Sequence, residues 1–417
     1  MKRVLSIVLV AFIAISVVLA GGSSESNDQK VVRICQFKVE IADDLQRLAE
    51  EYEELTGIKV EVESTSSDGY QTLLRTKFAG NEAPDVFNNE GFSQMAEWSE
   101  HLEDLSAEPW VADMVPQAVE GASIDGKIYG LPLYFEGYGW CYNPKMFEAA
   151  GITELPKTLS EFDEVCTKLE EAGFAAIGLP LGASYNPGRF MFNVAIAHQD
   201  NPTEFIEKAC RGEIDFVNDE IMNDWVDMLD VCLKHAYKNP LDMDFSGQIS
   251  TYAFEEAAMT MANNGAWVSF TEINPDIDAD YMVVPINDDP EFNDVLYAGP
   301  STYWVVNKNS PVKEEAKDFL EWLVTSERGQ YYLTEVFGFV PGLSTMTVTE
   351  EQVGPLSAAV SEAIVEGRSL GWEWPKYPNG VADEIGDAII EYAAGRLDRT
   401  QFLQKAQDIF VTLSEVR

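Results

Sequence analysis

Residues 125–147 constrain the fold more than any other stretch. They read Asp-Gly-Lys-Ile-Tyr-Gly-Leu-Pro, then Leu133-Tyr134-Phe135-Glu136-Gly137-Tyr138-Gly139-Trp140, then Cys141-Tyr142-Asn143-Pro144. Asp125-Gly126 predicts a two-residue hairpin, because these residues tolerate the positive φ that such turns need. Pro132 has no backbone donor and is expected to stop the strand from continuing as a regular central strand. Beyond it runs an extended aromatic segment carrying one carboxylate, Glu136, beside Gly137 and Gly139, which read as a flexible joint. Asn143-Pro144 suits the first turn of a helix. A strand that leaves one sheet through such a joint and enters another sews two lobes together. Glu136 and the aromatics around it are then expected to face the cleft between them.

The flanking chain alternates strand and helix. Residues 31–37 form a β-branched strand, and Ile41, Leu45, Leu48, Tyr52 and Leu55 recur at helical spacing. Gly57 ends that helix, and 58–62 alternate as a second strand. After a helix at 70–79 comes a buried strand at 83–87, with Asn88-Asn89-Glu90-Gly91 at its carboxyl end. Ligands of open α/β sheets bind off the carboxyl ends of strands, which makes Asn89 and Glu90 cleft candidates. Further on, Thr158 with Glu161 makes a capping box for a helix to 171, followed by a strand at 175–179. Residues 182–188 form a loop with Tyr185 at its tip. Helices continue to 238. Residues 254–259 read as a helix giving way to a strand that begins near Trp267. Strands follow at 281–285 and 296–307, with the return crossing placed between Val283 and Tyr303. A helix opened by Ser310-Pro311 reaches 324, and 337–342 close the first lobe. The bend at 371–375 and helices near 380–394 and 399–416 complete the second.

With 417 residues, 46% of them hydrophobic, the chain is long enough for two cores. Lys2-Arg3, an apolar run at 4–19 and small residues at Ala20-Gly21 predict a secretory signal removed at about residue 20. No other run is long enough for a membrane span. Removing 1–20 takes the net charge from −43 to −45. Such a chain repels nucleic acid and anionic membranes, and it argues against a polyanionic ligand. The five cysteines are odd in number and lack C-x-x-C spacing, so buried free thiols are expected rather than a disulfide framework or zinc site. Three scattered histidines build no metal site, and no cofactor is implied. Gly121 to Lys127 matches the phosphate-loop spacing but runs into Ile128 and a strand. Asp276-Ile-Asp278-Ala-Asp280 lacks the glycine and glutamate of a calcium loop, and Tyr331-Tyr332 reads as helix packing.

Four blocks carry a family resemblance: 126–132 followed by Tyr142-Asn143 and Phe147; 52–60; 77–86; and 254–259 with Gly265-Ala266-Trp267. Together they resemble the family 1 extracellular solute-binding proteins, the sugar-type receptors of ABC importers. The resemblance implies an α/β, two-lobe periplasmic binding protein-like fold of type II, each lobe a mixed sheet flanked by helices with a cleft between. The lobes would be 31–136 plus 297–343 and 137–296 plus 344–417. It implies a non-enzymatic periplasmic monomer that captures a sugar or oligosaccharide by hinge closure and delivers it to a membrane permease; that no Cys lies near the expected cleavage site predicts a protein without a lipid anchor. Sugar rings pack their C–H faces on aromatics while hydroxyls seek polar partners. By position in the family pattern, Glu136, Trp267, Trp372 and Trp374 resemble ligand-contacting places, as do Tyr185 and Asn89, the latter where relatives carry an aromatic. Glu90, Tyr138, Phe37 and Glu373 complete the candidate set. Two other readings stand beside the sugar. A glycerophosphodiester would want Lys38 or Arg189, and a polyamine would want more carboxylates than Glu136, Glu90 and Glu373. A secreted glycoside hydrolase would pair Glu136 with a second acid.

Overall fold

The computed structural model describes residues 30–65 and 67–414, so the expected signal segment at 1–20 lies outside the described residues. Strands β1 (Val31–Gln36), β2 (Lys59–Ser64) and β3 (Val86–Asn89) form a parallel group with β1 in the middle. Between β1 and β2 the helix Ala42–Thr56 buries Leu45, Leu48, Ala49 and Tyr52 and ends at Gly57, whose φ of 77° gives the left-handed cap. Leu55, expected on the apolar stripe, points to solvent instead at 68% exposure. β4 (Ser123–Ile124) and β5 (Lys127–Ile128) are the expected hairpin, with φ of 50° at Asp125 and 77° at Gly126.

Next come β6 (Gly130–Tyr142), β7 (Ile177–Gly178), β8 (Met259–Asn263), β9 (Asp280–Met282), β10 (Leu296–Val306) and β11 (Ser369–Leu370). The continuous sheet runs β2-β1-β3-β10-β6-β8-β7, with β11 beside β10 and β9 beside β6. Two long antiparallel strands therefore bridge the halves. β6 pairs with β10 from Gly130 to Tyr138, then with β8 from Tyr138 to Tyr142 and with β9 from Trp140 to Tyr142. The result is the expected two-lobe α/β architecture with a mixed sheet.

The crossing is stiffer than its sequence suggested. Pro132 lies inside β6, beside bulges where the register against β10 shifts between Pro300 and Tyr303, a position at which a strand tolerates a missing donor. Gly137 and Gly139 are close-packing positions rather than a loose joint. A Cβ on Gly137 would lie 2.7 Å from Val360, and one on Gly139 2.6 Å from the Met282 carbonyl. Period-two alternation then sorts the side chains. Tyr138, Trp140 and Tyr142 enter the core of the second lobe, with Trp225, Phe162 and Phe410, while Phe135 and Cys141 join the other core. The aromatics of this run are thus mostly buried, and the carboxylate of Glu136 is left for the cleft. Cys35, Cys141, Cys166 and Cys232 are buried free thiols, and Cys210 is partly buried.

Burial also creates an acid-sensitive point. His198 hydrogen-bonds the Tyr297 hydroxyl at 2.9 Å and stacks on Phe292, and burial pulls its pKa down from 6.5 to about 4. The unfolded chain therefore binds this proton first. The stability that neutral His198 supplies is complete above pH 6.5 and is lost as pH falls towards 4. Between pH 7 and 5 the loss from this group is about 2 kcal/mol. Urea melts of wild type and His198→Gln at both pH values should show a shallower acid loss in the variant. Parallel losses would refute the assignment.

Candidate functional site

A cavity of about 1390 Å³ opens between the lobes, with the crossing strands as its base. Glu136 of β6, Asn263 at the end of β8 and Ser301 of β10 line that base. Glu136 Oε2 accepts from Asn263 Nδ2 at 3.2 Å, and Oε1 lies 3.6 Å from Lys38 Nζ. Lys38 in turn sits 4.2 Å over the Tyr134 ring.

The first-lobe wall grows from the carboxyl end of β3. Asn89 is buried and shapes the turn: its side chain accepts from the Gly91 N–H at 2.8 Å and donates to the Gln94 carbonyl at 3.2 Å. That turn presents Glu90 to the cavity, hydrogen-bonded by Gln94. Glu90 is solvent-exposed, yet desolvation by the surrounding walls pushes its carboxyl above its ordinary range, opposed by the Gln94 hydrogen bond and by Arg189 across the cleft.

The second-lobe wall is aromatic. Trp372 and Trp374 stack at 4.5 Å with a 29° interplanar angle, and Phe190 meets Trp374 edge-on at 5.3 Å. Trp372 lies flat on β10 because residue 299 is glycine; a Cβ there would fall 2.7 Å from its Cγ. Beneath this platform Tyr138 is fully buried, stacked on Tyr297 at 5.0 Å and donating to the Phe190 carbonyl at 2.8 Å. The segment carrying Tyr185 and Phe190 docks backbone to backbone on the helix Val381–Ala393. A Cβ on Gly188 would lie 1.8 Å from the Ala382 carbonyl, and one on Gly386 2.1 Å from that of Ser184. This contact brings Arg189 to 2.7 Å from Asp383 and 4.2 Å over the Tyr185 ring.

One ion cluster ties the platform to the other lobe. Lys376 Nζ lies 2.7 Å from Glu373 Oε2 and 2.7 Å from Glu120 Oε1, and it donates to Thr203 Oγ1 at 3.1 Å. Glu120 belongs to the helix Pro116–Ala122 of the first lobe. Burial raises the pKa of Glu373 above the ordinary carboxylate range, and Lys376 works against that shift.

Of the residues expected from sequence, Glu90, Glu136, Tyr185, Trp372 and Trp374 line the cavity. Asn89, Tyr138 and Glu373 stand behind its walls as supports, and Phe37 packs edge-on against Tyr70 at 5.2 Å. Trp267 is placed differently. The segment expected to pass from helix to strand does the reverse: β8 ends at Asn263 and Trp267 is the second residue of the helix Ala266–Ile273. Its ring covers Gly354, where a Cβ would lie 2.4 Å away, and it is not among the residues lining the cavity. A short run buried on both faces, Met259–Asn263, carries no period to tell strand from helix, which explains the inversion. Sequence reading also passed over Phe190, Asn263 and Phe245. Phe190 sits in the helical stretch that ends at 238, Phe245 in a stretch given no element, and Asn263 ends the misassigned strand.

Comparison with known proteins agrees with this geometry. The profile of bacterial extracellular solute-binding proteins matches residues 38–330. The melibiose/raffinose/stachyose-binding protein MelE of Bacillus subtilis is 24% identical over 298 residues, covering 67% of this chain and 66%, just under two thirds, of that relative. The diacetylchitobiose-binding protein DasA of Streptomyces coelicolor is 24% identical over 414 residues, 92% of this chain and 91% of its own. Among solved structures, apo RafE from Streptococcus pneumoniae superposes with a TM-score of 0.80 at 19% identity, covering 93% of this chain and 98% of that one. RafE in complex with raffinose superposes at 0.74 with 20% identity, covering 92% and 99%.

Proposed function

This chain belongs to the family of bacterial extracellular solute-binding proteins, and we propose that it captures a sugar or oligosaccharide between its lobes and hands it to the membrane permease of an ABC importer. The observation that carries the reading is the Trp372–Trp374–Phe190 platform in the same cavity as the Glu136–Asn263 pair. One wall offers aromatic faces to C–H patches and the base offers neutral and charged partners to hydroxyls.

The charge pattern favours this ligand over a phosphate. The arginines lining the cavity, Arg75 and Arg189, are already committed to Glu97 at 2.6 Å and Asp383 at 2.7 Å. A phosphodiester would have to break such a pair to gain a bidentate partner. Binding would draw the lobes together by differential affinity for the closed arrangement, the proposed lobe boundaries being 136/137, 296/297 and 343/344. This reading places the mature, non-lipidated protein in the periplasm and assigns it no covalent chemistry. No helix among the described residues is long and apolar enough to cross a membrane.

A thermal-shift panel of melibiose, raffinose, stachyose, diacetylchitobiose, glycerophosphocholine and spermidine tests the proposal. A ligand at one hundred times its dissociation constant stabilises the native state by about 2.7 kcal/mol. At least one sugar should raise the midpoint. A shift with glycerophosphocholine or spermidine alone would refute the sugar reading.

A further inference from the structure

We propose that the site is built for a linear oligosaccharide of three or more units, with an outer subsite formed by Tyr185 and Phe245. This inference rests on the sugar reading and extends it to ligand length. The strongly exposed aromatic side chains among the described residues are Tyr185, Phe245, Phe254 and Tyr331, and two of these four line the cavity. Tyr185 is 57% exposed and Phe245 53%, whereas Trp372 in the same wall is 9% exposed. Aromatic surface left open in a cleft marks a contact awaiting a partner.

Neither ring is on a loose tip. Asn186, next to Tyr185, donates to Gln248 Oε1 at 3.0 Å, and Gln248 donates to Thr260 Oγ1 at 2.9 Å. Gln248 belongs to the helix Phe245–Ala253, so this buried chain of hydrogen bonds fixes Tyr185 and Phe245 to one another and to β8. The guanidinium of Arg189, held by Asp383, covers one face of Tyr185. Rings held in this way lose little freedom when a ligand arrives.

The tryptophan platform runs on to Tyr185, with Phe245 lining the same cavity. Ring centres step from Trp372 to Trp374 at 4.5 Å, to Phe190 at 5.3 Å, and on to Tyr185 at 6.3 Å. A cavity of about 1390 Å³ also exceeds the roughly 300–1,000 Å³ that serves drug-sized ligands. A monosaccharide or disaccharide on the tryptophans would leave Tyr185 and Phe245 in water. A longer chain would reach them.

Calorimetric titration with two length series, melibiose–raffinose–stachyose and chitobiose–chitotriose–chitotetraose, tests the inference on wild type and on a Tyr185→Ala, Phe245→Ala double variant. In the series that binds, affinity should rise about tenfold or more from two units to the longest member. The double variant should lose most of that gain, with a loss that grows with ligand length, and Tyr185→Phe should keep most of the gain. Both side chains are exposed, so an unchanged melting midpoint would confirm that the variant is folded. Affinity independent of length, or an equal loss at every length in the double variant, would overturn the outer subsite and leave the sugar reading standing. Failure of every sugar in both series to bind would overturn the sugar reading and the subsite with it.

Discussion

On the proposed sugar reading, replacing Trp374 with alanine should weaken binding by about 2–4 kcal/mol, roughly 30- to 1,000-fold, and cost the fold much less. The asymmetry follows from where its ring sits. Trp374 lines the cavity, is only partly buried, and touches Trp372, Phe190 and, at 6.4 Å, Tyr138. Removing it strips the platform of its cleft-facing ring but leaves the layer beneath intact. Trp372 is the built-in contrast, because it is wedged against Gly299 with a buried indole nitrogen. Trp372→Ala should therefore cost about 3–5 kcal/mol of stability, as large core truncations do. Isothermal titration beside urea melts of the two variants separates these effects. If Trp374→Ala keeps wild-type affinity for a sugar that shifts the wild-type midpoint, Trp374 is not part of the binding surface.

The fold was legible wherever the sequence carried a period or a terminator. The Asp125-Gly126 turn, the Gly57 cap and the Thr158–Glu161 capping box all sit where local chemistry placed them. It was illegible where burial is two-sided. Met259–Asn263 has no polar face, so nothing local separates strand from helix, and the error carried Trp267 from a helix into a presumed strand edge. Pro132, Gly137 and Gly139 show the opposite failure. Each has a strong local meaning, and each was overruled by packing across the sheet: bulges accommodate the proline, and Val360, Met282 and Leu296 fill the space above the glycines.

The site divides in the same way. Glu90 and Glu136 were legible from topology alone, since strand ends and lobe crossings are where ligands sit. The aromatic platform was half legible. The Trp372–Trp374 bend stood out as a pair of indoles outside any periodic run, whereas Phe190 reads as an ordinary core residue. It becomes part of a surface only because Gly188 and Gly386 let two backbones touch, and such a contact joins positions far apart in sequence.

The support behind the platform yields the second large effect. Lys376→Met should destabilise the protein by about 3–5 kcal/mol, because it leaves the buried carboxylate of Glu373 without its ion partner. Adding Glu373→Gln to Lys376→Met should restore most of that loss, since removing both charges also removes the uncompensated one. The pH dependence gives a separate signature. Burial already holds the folded pKa of Glu373 above its unfolded value, and Lys376 opposes the rise. Without Lys376 the folded pKa climbs further. The native state then binds a proton that the unfolded chain has released, so stability falls as pH rises through the window between the two values. The single variant should accordingly be closer to wild type at pH 5 than at pH 8, and the double variant should show no such slope relative to wild type. Urea melts at the two pH values decide the matter. A single variant that loses stability equally at both would mean that Lys376 acts through its contacts with Glu120 across the lobes and with Thr203 in its own lobe, and not through the charge of Glu373.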